Sequence, residues 1–269
     1  MGNDWTSRLL NEFDMHNRVG CFVTLTYKPS KLPSVYDDDG NFLGEGDINW
    51  RHFDLFMKRL RDKLCGRRIS YYAVNEYGDK SYRPHFHVII NGFEPNDQEL
   101  IYTRRGHNLY RSPMLDSLWY DEDDQESLGF VSFGSVTANS IRYVTEYVLK
   151  KVIGKDYEYR YTRVNPVTGV SFRVQRERAR MSLRPAIGYS WFIKFYQSVF
   201  PKGYFTLGDN KKFAVPKYYM KLYKKMDEEA HFNFVTKRMD AAKLLSGMCN
   251  MKNREIYLAR FVDRFNKEI

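Results

Sequence analysis

The sequence has few cysteines, and those it has are far apart. Cys21, Cys65 and Cys249 are the only three in 269 residues. An odd number at such spacings indicates neither a disulfide framework nor a cysteine zinc site. The count is typical of a protein from a reducing compartment, so we expect a cytoplasmic location.

Long apolar runs are also missing. No segment reaches the roughly 18 consecutive apolar residues that would suggest a transmembrane helix, and the first residues do not have the pattern of a signal peptide. We find no internal repeat and no low-complexity segment. We therefore expect no membrane partner.

Acidic residues are outnumbered. The chain has 33 Asp and Glu against 43 Lys and Arg, which gives a formal net charge of +10. Such a protein attracts polyanions. Most of the excess of basic residues lies between Arg142 and Arg184. Two interpretations of this segment are open, a contact with DNA and a solvated basic face. The candidate contacts to DNA phosphates are Lys151, Arg173, Arg176, Arg178, Arg180 and Arg184.

Two histidines stand one residue apart in an apolar run. Because side chains alternate along a strand, His85 and His87 are predicted to project from one face. The preceding β-forming segment and the turn residues 78–81 predict a hairpin in which Glu76 lies opposite His85. Two imidazoles and a carboxylate would then converge, which predicts a metal site.

The nature of the metal follows from its ligands. Oxygen ligands favour Mg²⁺ or Mn²⁺, and two imidazoles move the preference toward Mn²⁺ or heavier ions. A non-haem iron oxygenase uses a similar set of two histidines and one carboxylate, but it needs positions for dioxygen and an organic cosubstrate. Nothing in the sequence indicates either.

Residues 139–152 carry apolar positions at helical spacing, so the pattern predicts an amphipathic helix with Asn139 or Ser140 as its N-cap. Two phenols and two ammonium groups share or adjoin one face of this helix. They belong to Tyr143, Tyr147, Lys150 and Lys151. A free phenol has a pKa of about 10. A neighbouring lysine favours the phenolate, which can attack a phosphodiester and form a 5′-phosphotyrosine. The alternative is that both tyrosines belong to the core.

The remaining pattern predicts an α+β fold with a central antiparallel sheet flanked by helices. A helix capped by Asp47 is expected to run to Leu64, and a strand is expected over residues 129–137. A soft boundary separates a core, residues 1–154, from a mainly helical region, residues 155–269. In that region, helices are expected near residues 189–200, 225–245 and 252–267.

Several of these segments together resemble one family, the HUH endonucleases. The match is to the replication initiators of small single-stranded DNA phages of the microvirus group, above all the gokushovirus type. The matching residues are 22–27, 75–79 with 83–87, and 143–151, followed by 182–191 and 215–219.

The resemblance implies the HUH nuclease fold and a specific chemistry. Such initiators nick one strand at the viral origin, stay joined to its 5′ end, and leave a 3′-hydroxyl that primes rolling-circle synthesis. A second tyrosine allows the strand to be rejoined. The implied metal ligands are His85, His87 and Glu76, and the implied catalytic residues are the nucleophiles Tyr143 and Tyr147 and the phosphate-orienting Lys150.

The resemblance also implies partners and a location. Single-stranded and origin DNA are the substrates, a host helicase and polymerase would act with the initiator, and the bacterial cytoplasm is the compartment. Two alternatives stay open. One is a plasmid or transposon enzyme of the same superfamily, and the other is a non-catalytic single-stranded DNA-binding module on the same fold.

Overall fold

The computed structural model describes residues 2–104, 106–147, 157–207 and 211–243. Contacts divide the chain into two compact units, residues 1–194 and 195–269. The boundary near residue 154 that the sequence suggests stays a prediction. Within the described residues, no helix has the length and hydropathy that crossing a membrane requires.

The first unit is built on an antiparallel sheet of seven strands, which lie in the order β11-β4-β5-β1-β8-β7-β6. The strands are β1 (Gly20–Tyr27), β4 (Ser70–Tyr77), β5 (Pro84–Asn91), β6 (Glu99–Arg104), β7 (His107–Arg111), β8 (Gly129–Ser135) and β11 (Ala179–Met181). Two small hairpins join β2 (Ser34–Tyr36) to β3 (Phe42–Glu45) and β9 (Thr162–Val164) to β10 (Ser171–Arg173).

Helices cover both faces of the sheet. Their bounds in this unit are α1 (Gly2–Met15), α2 (Trp50–Lys63), α3 (Pro113–Asp116), α4 (Ala138–Arg142) and α5 (Tyr157–Tyr161). A short 3₁₀ turn covers Pro29–Lys31, and a π-helical turn over Tyr143–Tyr147 continues α4.

Alternating apolar residues give the sheet two cores. On one face, Val23, Leu25 and Phe86 are fully buried in a cluster that includes the apolar side of α2. On the other face, Ile89 packs in a cluster with residues from α1 and α4, among them Leu9. His85 and His87 alternate with Phe86 along β5, so they project to the face of Ile89, beneath α1 and α4.

The predicted hairpin is confirmed in its register. Strands β4 and β5 pair so that Glu76 lies opposite His85 and Val74 lies opposite His87. The strand expected over residues 129–137 is β8, which ends at Ser135.

The two predicted helix caps are wrong. Helix α2 begins after Asn49, whose side chain accepts the Arg51 N–H, while Asp47 accepts hydrogen bonds from Tyr77 and Gln175. Helix α4 begins after Thr137, which forms a reciprocal capping box with Ser140.

The helix expected over residues 139–152 is also different in kind. Its α-helical part ends at Arg142, and Tyr143–Tyr147 form the π-helical turn. Residues 148–156 lie outside the described part of the chain.

The second unit is largely helical, and the predicted α+β fold class with a helical C-terminal region is confirmed. Helix α6 (Tyr189–Val199) crosses the boundary between the units, and α7 (Lys217–Met226) is followed by a helix over residues 228–243. A hairpin joins β12 (Tyr204–Leu207) to β13 (Lys211–Ala214). Phe200 stacks on Tyr223 at a centroid distance of 3.8 Å. The helix expected over residues 252–267 lies outside the described residues.

Candidate active site

The β4–β5 hairpin brings three ligand side chains to one point. The Oε2 atom of Glu76 lies 3.2 Å from Nε2 of His87 and 3.7 Å from Nε2 of His85. The side chain of Glu76 is only 3% exposed, and those of the histidines are 12% and 15% exposed. A buried carboxylate is costly without compensating partners, and a cation held at this cluster would be one such partner for Glu76.

The other ring nitrogen of each histidine has a partner of its own. His85 Nδ1 lies 3.0 Å from the carbonyl oxygen of Arg83, which can only accept a hydrogen bond. His87 Nδ1 lies 3.0 Å from the hydroxyl of Thr24 on β1. When Nδ1 of His85 donates to that carbonyl, Nε2 of the neutral ring presents its lone pair toward Glu76. The arrangement is typical of metal-binding histidines.

The donor set fits a divalent metal ion. The three candidate ligand atoms, two imidazole nitrogens and one carboxylate oxygen, all lie within 4.8 Å of one another. Imidazole and carboxylate together suit several divalent ions, including Mn²⁺. The triad predicted from the sequence, Glu76, His85 and His87, is therefore brought together by the fold.

Tyr143 extends from the π-helical turn into this cluster. Its hydroxyl donates a hydrogen bond of 2.8 Å to Glu76 Oε2, and its ring lies edge-on to that of His87 at a centroid distance of 5.2 Å. Two neighbours anchor the turn: Val144 is fully buried, and the Thr145 hydroxyl lies 2.7 Å from the hydroxyl of Thr6 on α1. The phenol is held beside the candidate metal ligands.

The remaining predicted catalytic residues cannot be placed beside Tyr143 in the same way. Tyr147 is the last residue of the π-helical turn, but its side chain is not among those described. Lys150 and Lys151 lie outside the described residues. Their roles stay predictions.

A cleft of about 650 Å³ opens next to the cluster. Its walls come from β1, from the β6–β7 hairpin, from the end of β8 and from the start of α4. Phe22, Tyr110 and Tyr143 supply aromatic surface, and Asn108 and Asn139 supply amide groups. A cleft with aromatic faces and polar edges can accommodate an unpaired nucleotide.

The predicted DNA-contacting arginines lie in several environments. Arg173 pairs with Glu158, and Arg180 pairs with Asp54 at 3.0 Å. The guanidinium carbons of Arg178 and Arg180 lie 5.4 Å and 4.4 Å from the ring centroid of Trp50. Trp50 belongs to α2, so these two arginines lie on the face opposite the histidines.

Arg176 and Arg184 have a different setting. The carbonyl oxygen of Arg176 accepts a hydrogen bond from the Asn75 side chain at 3.2 Å. Arg184 lines a second pocket near the start of β4. These contacts do not show whether the arginines bind DNA, so DNA binding by these residues stays a prediction.

Two other tyrosines on β4 are distinct from the candidate nucleophile. Burial raises the pKa of Tyr72, and burial together with the nearby Asp47 carboxylate raises the pKa of Tyr77. Both phenols therefore stay protonated. Tyr77 contacts Asp47 at 2.9 Å and Gln175 O at 2.8 Å, which gives it a structural role.

Sequence reasoning missed the contributions of Thr24 and of helix α1. The alternation of Thr24 and Thr26 with apolar residues on β1 was a signal for a polar side chain on the histidine face. The contact between Thr24 and His87 could not be predicted from their spacing, because the paired strands β1 and β5 are far apart in the sequence.

The sheet, the buried histidine–carboxylate cluster and the adjoining phenol define an α+β protein with a candidate divalent-metal site and a candidate nucleophile beside it. The family model for "Replication-associated protein ORF2/G2P" matches residues 20–152. The chain belongs to this family of replication-associated proteins, and the predicted resemblance to phage replication proteins is confirmed.

Three relatives come from bacterial viruses. The chain is 32% identical over 251 residues to "Replication-associated protein VP4" of Bdellovibrio phage phiMH2K, covering 90% of this chain and 70% of the relative. It is 27% identical to "Replication-associated protein ORF2" of Spiroplasma virus 4, covering 88% and 68%. It is 28% identical to "Replication-associated protein ORF4" of Chlamydia phage 1, covering 78% of this chain and about half, 51%, of the relative. No solved structure matches the chain.

Proposed function

We propose that this protein initiates rolling-circle replication by nicking one DNA strand and later rejoining it. The observation that carries the proposal is the hydrogen bond of 2.8 Å from the Tyr143 phenol to Glu76, one of the three convergent candidate metal ligands. A nucleophile next to a metal site is the arrangement that phosphodiester transfer needs. The names of the viral relatives support a role in replication.

The proposed reaction exchanges one phosphate ester for another. The Tyr143 oxygen attacks the phosphorus, a bond from that oxygen to phosphorus forms, and the bond from phosphorus to the 3′ oxygen breaks. The phenol loses its proton and the leaving 3′ oxygen gains one. The products are a 5′-phosphotyrosine and a 3′-hydroxyl, and the reverse reaction joins the strands.

The residues around Tyr143 have separate tasks in this proposal. His85, His87 and Glu76 would hold a divalent ion, Mg²⁺ or Mn²⁺, which when bound supplies charge stabilisation for the phosphate oxygens. Glu76 also orients the phenol through its hydrogen bond, and Thr24 fixes the ring of His87. The fold thus positions the phenol and the candidate metal ligands before the substrate binds.

The neighbouring cleft would hold the strand to be cut. Tyr143 and His87 line it, and its aromatic surface and amide groups suit unpaired bases. We propose single-stranded DNA at the origin as the substrate.

Tyr147, Lys150 and Lys151 complete the proposal. Tyr147 would act as the second nucleophile that allows rejoining, and Lys150, with Lys151 next to it, would stabilise phosphate charge. In the bacterial cytoplasm a host helicase would unwind the duplex and a host polymerase would extend the 3′-hydroxyl.

The test is an adduct assay with single-stranded oligonucleotides that tile the replicative DNA of the source virus. The purified protein is incubated with each labelled oligonucleotide in Mg²⁺, Mn²⁺ or EDTA and analysed on a denaturing gel. We expect an adduct that resists SDS and requires metal. It should persist in either Tyr143→Phe or Tyr147→Phe and disappear in the double variant.

A matched control is Tyr36→Phe, because Tyr36 is 58% exposed and remote in sequence from the site. This variant should form the adduct at the wild-type level. Binding of DNA with no cleavage in any metal would contradict the proposal and would favour a non-catalytic DNA-binding module.

A further inference from the structure

A second pocket lies near the start of β4, where β11 pairs with it. Its volume is about 480 Å³. Three arginines line it together with polar and aromatic groups, which include Ser70, Tyr71 and Ser182. None of the candidate catalytic residues contributes to this pocket.

The three arginines come from different segments. Arg61 lies in the last turn of α2, and Arg68 follows the turn that ends this helix. Cys65 and Gly66 have positive φ angles of 50° and 82°, which reverse the chain between them. Arg184 belongs to the loop after β11. The fold thus gathers cations that are up to 123 residues apart in the sequence.

The loop that carries Arg184 is held by hydrogen bonds on both sides. The Ser182 N–H donates to Tyr71 O at 3.0 Å, and Ser182 Oγ accepts the Tyr71 N–H at 3.0 Å. Buried Arg8 donates to Ile187 O at 2.9 Å. These contacts fix the wall of the pocket, so a ligand would not have to order it.

The charge of the pocket is positive. Its one carboxylate, Glu12, already accepts the Gly188 N–H at 2.8 Å and lies 3.3 Å from His16 Nε2. In the part of the chain that the structure describes, Arg61, Arg68 and Arg184 form no ion pair. Guanidinium groups that lack carboxylate partners and face one pocket are suited to phosphate.

We propose that this arginine pocket binds backbone phosphates of the DNA that flanks the cleaved site. Ser70 at the pocket and Glu76 at the candidate metal site are six residues apart on one strand, which corresponds to roughly 20 Å. At about 3.4 Å per nucleotide along one strand, that distance spans roughly six nucleotides. The identity of the DNA as replication substrate rests on the proposed function.

The test measures affinity for DNA as a function of salt concentration. The probe is a fluorescein-labelled 30-base-pair duplex of arbitrary sequence, with the full-length protein in EDTA so that no cleavage interferes. We compare the wild type with the triple variant Arg61→Ala, Arg68→Ala and Arg184→Ala. The slope of log affinity against log salt should become shallower by about 0.9 for each phosphate contact that is lost.

The matched control removes the same total charge at three exposed arginines that form ion pairs elsewhere. These are Arg18, Arg51 and Arg111, with partners Asp14, Glu122 and Asp116. Replacing them with alanine should leave the slope near the wild-type value. A second variant, with lysine at positions 61, 68 and 184, should keep most of the slope because it keeps the charge.

Equal slopes for the pocket variant and the control variant would overturn this inference. The result is independent of nicking, because the duplex is arbitrary and EDTA is present. A shallower slope without any adduct in the oligonucleotide assay would support the pocket and refute the nuclease. An adduct, together with a wild-type slope in the pocket variant, would support the nuclease and refute the pocket.

Discussion

At the scale of single residues, the site depends on which nitrogen each histidine presents. The Thr24 hydroxyl contacts Nδ1 of His87, and the Arg83 carbonyl oxygen contacts Nδ1 of His85. The Nε2 atoms of both histidines therefore lie near Glu76. Stacking of Phe22 on the ring of His87, at a centroid distance of 5.4 Å, further restricts its rotation. Neighbours outside the candidate ligand set thus orient the side chains that would hold the metal.

We predict that Thr24→Val weakens metal binding without unfolding the protein. Valine keeps the shape of threonine but lacks the hydroxyl that holds His87 Nδ1. Loss of such a supporting contact typically lowers metal affinity or activity by about 10-fold to 100-fold. Isothermal titration with Mn²⁺ measures the change.

Thr26→Val is the matched control, because Thr26 lies two residues further along the same face of β1. Its hydroxyl makes no hydrogen bond with any residue that the structure describes. Equal Mn²⁺ affinity in the two variants would show that the Thr24 hydroxyl does not position His87.

At the scale of elements, the start of α4 determines where Tyr143 lies. Thr137 and Ser140 cap each other's backbone N–H groups, with distances of 3.1 Å and 2.8 Å. The α-helix that begins after Thr137 has five residues, Ala138–Arg142, and the π-helical turn that carries Tyr143 follows it. Since π-helical turns often occur at functional sites, the change of helix type at Tyr143 agrees with the proposed chemistry.

We predict that Thr137→Ala destabilises the protein by about 1 kcal/mol, because it removes the side-chain oxygen that accepts the Ser140 N–H. Thr137→Ser keeps this oxygen and should stay near the wild-type stability. Urea unfolding followed by circular dichroism measures the free energy of unfolding. If alanine and serine gave the same value, the cap would contribute nothing to stability.

Local pattern was enough to predict the β4–β5 hairpin and its register, since Glu76, His85 and the turn are close in sequence. It could not predict Thr24 or α1, because their contacts with the site arise from pairing and packing over long separations. The caps were missed for a local reason. Asp47 has the chemistry of an N-cap, but Tyr77 and Gln175 use its carboxylate instead.

At the scale of the whole molecule, residues beyond 154 complete the sheet. Strand β11 pairs with β4, and the Asn75 side chain bonds to the backbone of Arg176 and Arg178 at 3.2 Å and 2.8 Å. Asn75 is fully buried. Without these partners its amide group would be left unsatisfied, at a cost of about 1 to 3 kcal/mol.

The boundary expected from the sequence, at residue 154, and the boundary between the compact units, at Lys194, therefore predict different outcomes on truncation. A chain that ends at Lys194 keeps β11, the loop that accepts from Arg8, and all of the first compact unit. We predict that it unfolds cooperatively in urea and binds Mn²⁺. A chain that ends at residue 154 lacks the backbone groups of residues 175–178 and 187 that bond to the buried side chains of Asn75, Tyr77 and Arg8. We expect it to show no cooperative transition. The shorter chain could instead show a cooperative transition and bind Mn²⁺ with the same affinity as the longer chain. That result would place the functional boundary at residue 154, because the site would then form without β11.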